Sequence, residues 1–414
     1  MNKTITEKLE TKICGEYDII VVGAGPAGIA AAITAARNDA KVLLVERALT
    51  VGGMWTEGLV NPLFDIENKT GLAGEIRDRL KKENNWGGFW DISFRTEDLK
   101  YMIEQMLVEA GVTLLGNTYF SKSVVEDNEI KGIIVENKDG RCAYMAKLVI
   151  DCTGDGDVCA SAAVPFDYGD SENHSVQSST LMFLVAGTDF RQKDAYELSK
   201  MLDSAAEANG IEYKCPFNRP FIINLPDSAL SVVQLTHVNC DATNAKSVTE
   251  SALSSKKQVM DTVKVMKTIP EFKNIELVET APMMGIRESR RIRGEYCLTY
   301  DDVRIGREFE DGVTVVTFGI DIHPDANNGV QKCMGVKPYE IPIRSMIAYG
   351  IKNLMMAGRC ISASHEAMAS LRVTGDCLAM GDACGLTASF ALKNNINIRD
   401  VDIKRLLIQR DGKI

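Results

Sequence analysis

The chain has 414 residues, 45% of them hydrophobic and 25% charged, with a formal net charge of −10. That is room for more than one domain in an ordinary globular protein, and the acidic balance argues against a nucleic-acid surface. No apolar run approaches the ~18 residues of a membrane span. The polar start MNKTITEKLETK lacks a secretion signal's apolar core, and eleven cysteines without a C-x-x-C pair read as buried, reduced thiols of a cytoplasmic protein with no metal site.

Residues 18–22 (DIIVV) form a short apolar run that suits a buried parallel strand. Gly23, Gly25 and Gly28 follow in the pattern G-x-G-x-x-G. The first glycine allows a tight turn, the second lets a pyrophosphate approach the backbone, and the third lets the next helix pack on the strand. Residues 30–37 are alanine-rich and helical, and the free N–H groups at the start of that helix suit phosphates. Residues 41–45 predict a second strand, and Glu46 at its end is placed to accept from ribose hydroxyls. The stretch reads as a dinucleotide site that NAD and FAD both satisfy.

The loop RALTVGGMWTEGLVN at 47–61 has backbone freedom at Gly52 and Gly53, while Trp55, Leu59 and Val60 predict partial burial beside a large aromatic ligand. Residues 71–82 and 96–110 predict helices, the second with Thr96 as its N-cap, Glu97 and Asp98 in its first turn and Gly111 at its end. The aromatic turn NNWGGFWDISF between them offers two tryptophans for packing or for lining a cavity. Short strands are expected at 112–115, 123–125, 130–135 and 143–150. The last runs into DCTGDGD at 151–157, whose acids lack the EF-hand order, so Thr153 and Gly154 read as a strand-to-loop crossing beside a ligand.

From about 164 to 342 the pattern changes to alternating β-type runs with one helix near 249–266, and no second glycine fingerprint follows a strand. Residues 353–357 predict a buried strand, and 377–392 a small-residue helix.

Taken together, GAGPAG at 23–28, the acid at 46 with GG at 52–53, VIDCTGDGDV at 149–158, GIRESRRIRGEYCLT at 285–299, YEIPIRS at 339–345 and NLMMAGRCISASHEAMASLRV at 353–373 resemble the FAD-dependent oxidoreductases of the glutathione-reductase-like structural group. Within that group the chain is similar to a broad bacterial family of FAD-dependent oxidoreductases. The resemblance implies an α/β fold: a Rossmann-like FAD-binding domain (a parallel sheet with a β-meander) from 1–163 and 343–414, and an α+β substrate or cap domain at 164–342. Carried over by position, Gly23, Ala24, Gly25, Pro26, Ala27 and Gly28 hold the pyrophosphate. Glu46 and Arg47 lie at the adenosine ribose, Phe120 at the adenine, and Gly52, Gly53, Met54 and Thr56 along the ribityl chain and ring. Thr153 and Gly154 lie beside the pyrophosphate. Gly358 and Arg359 replace the Gly-Asp that many relatives carry, and Val373 and Thr374 open the helix under the flavin. GDAC at 381–384 is not taken as that Gly-Asp block, because it falls inside a helical run.

No redox cysteine pair follows the Gly-Gly loop, which argues against a disulfide reductase, and no His or Cys in that loop suggests covalent flavin. Noncovalent FAD is therefore expected. Arg287, Arg290, Arg291 and Arg293 form either a salt-bridged cluster or a grip on an anionic small-molecule substrate, with Arg287 favoured for the second role. His365, then His323, are the expected proton-handling groups. The expected activity is hydride transfer between flavin N5 and a small organic substrate. The alternatives are a redox-neutral flavoprotein and an RNA-modifying flavoprotein.

Overall fold

The computed structural model describes residues 4–326 and 331–411. Its first strand, β1 (Lys12–Val22), begins well before the apolar run, because its N-terminal half pairs with a long partner strand while only residues 19–22 are fully buried. There follow α1 (Pro26–Arg37), β2 (Val42–Val45), α2 (Gly71–Lys82), α3 (Thr96–Ala110), β3 (Thr113–Leu115), β4 (Tyr119–Glu126), β5 (Glu129–Asn137) and β6 (Gly140–Asp151). The middle of the chain holds α4 (Asp157–Ser161), β7 (Phe166–Tyr168), β8 (Phe183–Ala186), α5 (Glu197–Ala208), β9 (Phe221–Asn224), β10 (Leu230–Gln234), α6 (Ala245–Met266) and β11 (Glu276–Thr280). It continues through β12 (Arg290–Ile292), α7 (Tyr300–Ile305), β13 (Gly312–Val316), β14 (Ile320–Ile322), β15 (Lys332–Met334) and β16 (Tyr339–Pro342). Then come β17 (Leu354–Met356), α8 (His365–Leu371), α9 (Thr374–Asn394) and α10 (Ile403–Arg410).

The main sheet runs β3-β2-β1-β6, all parallel, and β17 pairs parallel with the last residues of β6. β4, β5 and β6 form the antiparallel meander. This is the expected α/β, Rossmann-like arrangement. Helices α1 and α9 pack backbone to backbone: a Cβ at Gly381 would lie 1.9 Å from the Ala27 carbonyl, and one at Gly385 would lie 2.4 Å from that of Ala31. The GDAC run thus serves helix packing, and Asp382 accepts from Thr34 Oγ1 at 2.6 Å. A second, fully antiparallel sheet, β11-β8-β10-β9, carries α5 and α6 over its own apolar core, built from residues such as Phe183, Leu202, Val233, Val263 and Phe272. Ile292, Val316, Tyr339 and Ile341, by contrast, belong to the core of the main sheet.

Three local expectations change. Thr96 is not the cap of α3: Arg95 takes the cap position and the Thr96 hydroxyl accepts from Asn61 Nδ2 at 2.9 Å. α6 starts four residues before position 249, because Asn244 caps it by accepting from Ser247 N at 3.0 Å. Among the β-type runs of the middle segment, 313–323 breaks into β13 and β14, where Thr317 turns aside to donate its N–H to Asp65 at 2.9 Å. None of the eleven cysteines is in a disulfide, but Cys14, Cys297 and Cys333 are exposed rather than buried. Among the described residues no helix is long and apolar enough to cross a membrane.

Candidate active site

The glycine turn between β1 and α1 forms the floor of a cavity of about 240 Å³. Gly23 has φ +96°, and a Cβ there would stand 2.4 Å from the Cys152 carbonyl oxygen; one at Gly28 would stand 1.8 Å from that of Gly23. Both glycines are needed by the protein itself. Gly25 is different: a Cβ there meets nothing within 4 Å, although the residue lines the cavity. Gly53 lets the next loop come down on this turn, a Cβ there lying 2.9 Å from Gly25 Cα, and Gly52 N donates to Ala24 O at 2.8 Å.

The cavity wall also takes in Pro26, Ala27, Glu46, Arg47, Met54 and Phe120, and beyond them Thr153, Gly154, Gly358, Arg359 and Thr374. Four of the sequence-predicted residues stand behind the wall. Ala24 is buried, Gly28 packs on Gly23, Gly52 faces the Thr56 side chain, and Thr56 donates its hydroxyl to Val51 O at 2.8 Å. Val373 lines a neighbouring cavity instead. The Glu46 carboxylate accepts from Ala24 N at 2.6 Å and Ala48 N at 2.9 Å, so it holds the turn as well as facing the cavity. At the end of β6, Asp151 accepts from Thr153 N and Oγ1 (3.0 and 2.7 Å) and from Cys159 N (2.9 Å), which shapes the Thr-Gly crossing. Burial pushes the Asp151 carboxyl up despite those bonds.

A second cavity of about 490 Å³ adjoins the first and shares Met54, Ile286, Arg359, Arg372 and Thr374 with it. Among the described residues its wall carries Arg219, Arg287, Arg359 and Arg372 against a single carboxylate, Asp321. Arg287 is buried and donates to Ser178 O at 2.7 Å and Thr180 Oγ1 at 3.0 Å. Burial first, and the charge of Arg372 second, push its pKa down to about 9. Arg372 donates to Asp321 O at 3.0 Å and Gln177 Oε1 at 3.3 Å. Burial also lowers its pKa, with Asp321 opposing. Arg359 is tied to Asp155 Oδ1 at 3.0 Å. Arg359 Nη1, Arg372 Nε and Thr374 Oγ1 are buried and have no hydrogen-bond partner among the described residues. Such orphaned donors are rare in folded chains and mark where a polar group belongs.

The other arginines of the 285–299 block are structural. Arg290 pairs with Asp157 at 2.8 Å, Arg293 with Asp167 at 3.0 Å, and Arg291 with Glu288, its Nη2 also donating to Gly169 O at 2.8 Å.

His323 lines the second cavity, and its Nε2 lies 3.1 Å from Asp321 Oδ2. Asp321 is held below the ordinary carboxylate range: burial opposes ionisation, but the His323 hydrogen bond and the nearby charge of Arg372 outweigh it. An ionised acid only accepts, so Nε2 carries the proton and Nδ1 keeps the lone pair, without a partner among the described residues. Burial, then Arg287, push the His323 pKa down to about 3. The unfolded chain would hold this proton near the ordinary 6.5, so it is protonated first on acidification. Stability from this group is complete above pH 6.5 and falls as pH drops toward 3, by up to ~1.4 kcal/mol per pH unit. Thermal melts of His323→Asn should therefore show a shallower acid dependence than the parent in that window.

His365, the first choice from sequence, lines neither cavity. As the first residue of α8 its ring turns back, Nδ1 lying 2.9 Å from Glu288, which in turn holds Arg291 and accepts from Gln177 N at 3.1 Å. The sequence reading missed Arg372, Asp321 and Asp155. It also missed the rings of Phe64, Phe89, Phe221 and Phe318 beside Trp90 in the second cavity. Trp86, the other tryptophan of that turn, packs against the main core.

Comparison with known proteins decides what such a pair of cavities belongs to: residues 18–409 match the sequence profile of the FAD dependent oxidoreductases. The chain belongs to this family. By that membership FAD is its cofactor. The flavoenzyme is similar to the thiamine thiazole synthase of Pyrococcus horikoshii, at 29% identity over 34% of this chain and 58% of that protein. It is also similar to digeranylgeranylglycerophospholipid reductase 1 of Methanococcoides burtonii, at 25% identity over 44% and 47%. The chain thus spans about half the length of these curated relatives. The geranylgeranyl bacteriochlorophyll reductase-like protein of Thermoplasma acidophilum superposes with a TM-score of 0.50 at 12% identity, over 96% of this chain and 84% of that one. A myxobacterial chondrochloren halogenase superposes with a TM-score of 0.50 at 13% identity, over 96% and 79%. At these identities the likeness is one of fold.

The flavoenzyme's residues fit FAD. The open Cβ position of Gly25 is a place where only a ligand sets the need for glycine, and the orphaned donors of Arg359 and Thr374 lie on the same wall.

Proposed function

We propose that this enzyme moves a hydride between a small organic anion in the second cavity and FAD held noncovalently in the first. One observation carries the reading. The cavity built on the glycine turn meets, at Arg359, Arg372 and Thr374, a cavity whose wall has four arginines and one carboxylate. FAD, when bound, supplies the two-electron carrier.

The chain's part is to hold and orient. Gly23 to Gly28, Thr153 and Gly154 would take the pyrophosphate, with Glu46, Arg47 and Phe120 at the adenosine. Gly53, Met54, Gly358 and Arg359 would take the ribityl chain and ring, with Gly52 and Thr56 shaping that loop from behind. The start of α9 at Val373 and Thr374 would favour negative charge there. Arg287 and Arg372 bind the substrate anion. That anion offsets the Arg287 charge that depresses His323, and so raises its Nδ1 toward useful basicity. His365 is a positioning residue acting through Glu288. Residues 1–163 with 343–414, sharing one core with Ile292, Val316, Tyr339 and Ile341, serve as the cofactor unit, and the rest of 164–342 as the cap over it. The enzyme falls in the glutathione-reductase-like group, and its net charge of −10 supports a cytoplasmic small-molecule enzyme over one acting on nucleic acid.

The test is anaerobic mixing of the FAD-loaded protein, oxidised or dithionite-reduced, with hydroxy, amino and unsaturated acids and their neutral amides. Visible flavin absorbance should change with at least one acid and not with its amide. Equal rates with the amides overturn the anionic substrate. No electron exchange in either direction overturns hydride transfer.

A further inference from the structure

The second cavity has an aromatic side that the anion reading does not use. The hairpin between Gly87 and Ser93 carries Phe89 and Trp90, stacked at 4.3 Å. Both rings meet Phe221 edge-on, at 5.6 and 5.7 Å, and Trp90 meets Phe64 at 6.2 Å. All four residues line the cavity.

Trp90 is held at φ +50° and Asp91 at +59°, a region that bulky side chains rarely adopt. Despite its contacts with three rings, Trp90 stays 63% exposed in that conformation. The hairpin is not a loose flap. Gly88 sits so close to β9 that a Cβ would lie 2.2 Å from the Asn224 carbonyl oxygen. The Ser93 hydroxyl lies 2.8 Å from the carbonyl oxygens of both Gly87 and Asn224 and accepts from Phe89 N at 3.1 Å. Backbone strain that the surroundings enforce on an exposed aromatic at a cavity is what a ligand contact looks like. Rings meeting stacked or edge-on favour a further planar ring over an alkyl chain.

We propose that the ligand of the second cavity is an aryl carboxylate, its ring received by Phe64, Phe89, Trp90 and Phe221 and its carboxylate by Arg287 and Arg372. This rests on the cavity being the anion site described above. Arg287 and Arg372 repel one another across a wall with one acid, and a carboxylate relieves that repulsion by bidentate hydrogen bonding. A cavity of about 490 Å³ is of the size that small ligands fill.

The test uses the FAD-loaded protein and calorimetric titration with 2-naphthoate, 2-naphthamide and decanoate. The expected order has 2-naphthoate binding about ten-fold tighter than either of the others. Trp90 lines the second cavity and not the first, so Trp90→Ala should leave FAD content unchanged. It should weaken 2-naphthoate about five-fold while leaving decanoate within about two-fold. Decanoate binding as tightly as 2-naphthoate, or Trp90→Ala weakening both equally, overturns the aryl class and leaves the anion site standing. Naphthamide binding as tightly as naphthoate overturns the anion site itself. Binding by none of the three overturns both.

Discussion

Gly25→Val is expected to give a folded, colourless protein. Gly25 precedes α1 with φ −74° and ψ −177°, an extended conformation open to any residue, and its Cβ would touch no protein atom within 4 Å. Nothing in the chain therefore asks for glycine at this position, and the apo protein should melt where the parent apo protein melts. The added side chain instead fills the space over the free N–H groups at the start of α1, where the proposed pyrophosphate site lies. FAD binding should weaken by about 100-fold, or ~2.8 kcal/mol. The thermal shift that FAD confers should fall with it, because a ligand stabilises only the state it binds. Gly23→Ala and Gly28→Ala are the contrast. Their Cβ atoms would meet carbonyl oxygens at 2.4 and 1.8 Å, so those variants should lose stability even without cofactor. Unchanged FAD affinity in Gly25→Val would remove the glycine turn from the cofactor site.

That contrast also shows why the cavity on the glycine turn was legible in the sequence and the second cavity was not. Phosphates are held by backbone N–H groups, and backbone geometry is set by a few consecutive residues, so GAGPAG states its purpose locally. The second cavity is assembled from Phe64, Trp90, Phe221, Arg287, Asp321 and Arg372, which lie on six separate segments. No spacing rule links them. His365 illustrates the opposite case: it stands on α8, just before α9, yet the carboxylate of Glu288, 77 positions away in sequence, turns its ring elsewhere. Caps failed in the same way. Thr96 had the right chemistry, but Asn61 claimed its hydroxyl, and Asn244 capped α6 where the apolar periodicity had not yet begun.

Lys69→Met is expected to cost the protein about 3–5 kcal/mol, the usual penalty for removing one member of a buried ion cluster. Lys69 is only 4% exposed, and its Nζ lies 3.0 Å from Asp65 Oδ2 and 2.7 Å from Asp376 Oδ1. Neither Asp376 oxygen has a partner of full hydrogen-bond geometry among the described residues, and Lys69 Nζ also donates to Val315 O. Asp376 is pushed well above the ordinary carboxylate range by burial, with Lys69 opposing and the charge of Asp65 adding to it. Asp65 stays below that range: burial resists ionisation, but Lys69 and the hydrogen bonds from Thr317 prevail. Without the ammonium, two buried carboxyl groups face each other unscreened. Asp376→Asn removes one of them and keeps its shape, so adding it to Lys69→Met should recover much of the lost stability in denaturant melts. Full additivity of the two losses would show that they are not coupled. The cluster bears on function because of where it sits. It ties the loop that carries Phe64 to the first turn of α9, where Thr374 faces both cavities, while Thr317 joins Asp65 to the strand leading to Phe318. In the folded fraction of Lys69→Met, FAD affinity should therefore fall as well, whereas Asp376→Asn alone should leave it near the parent value.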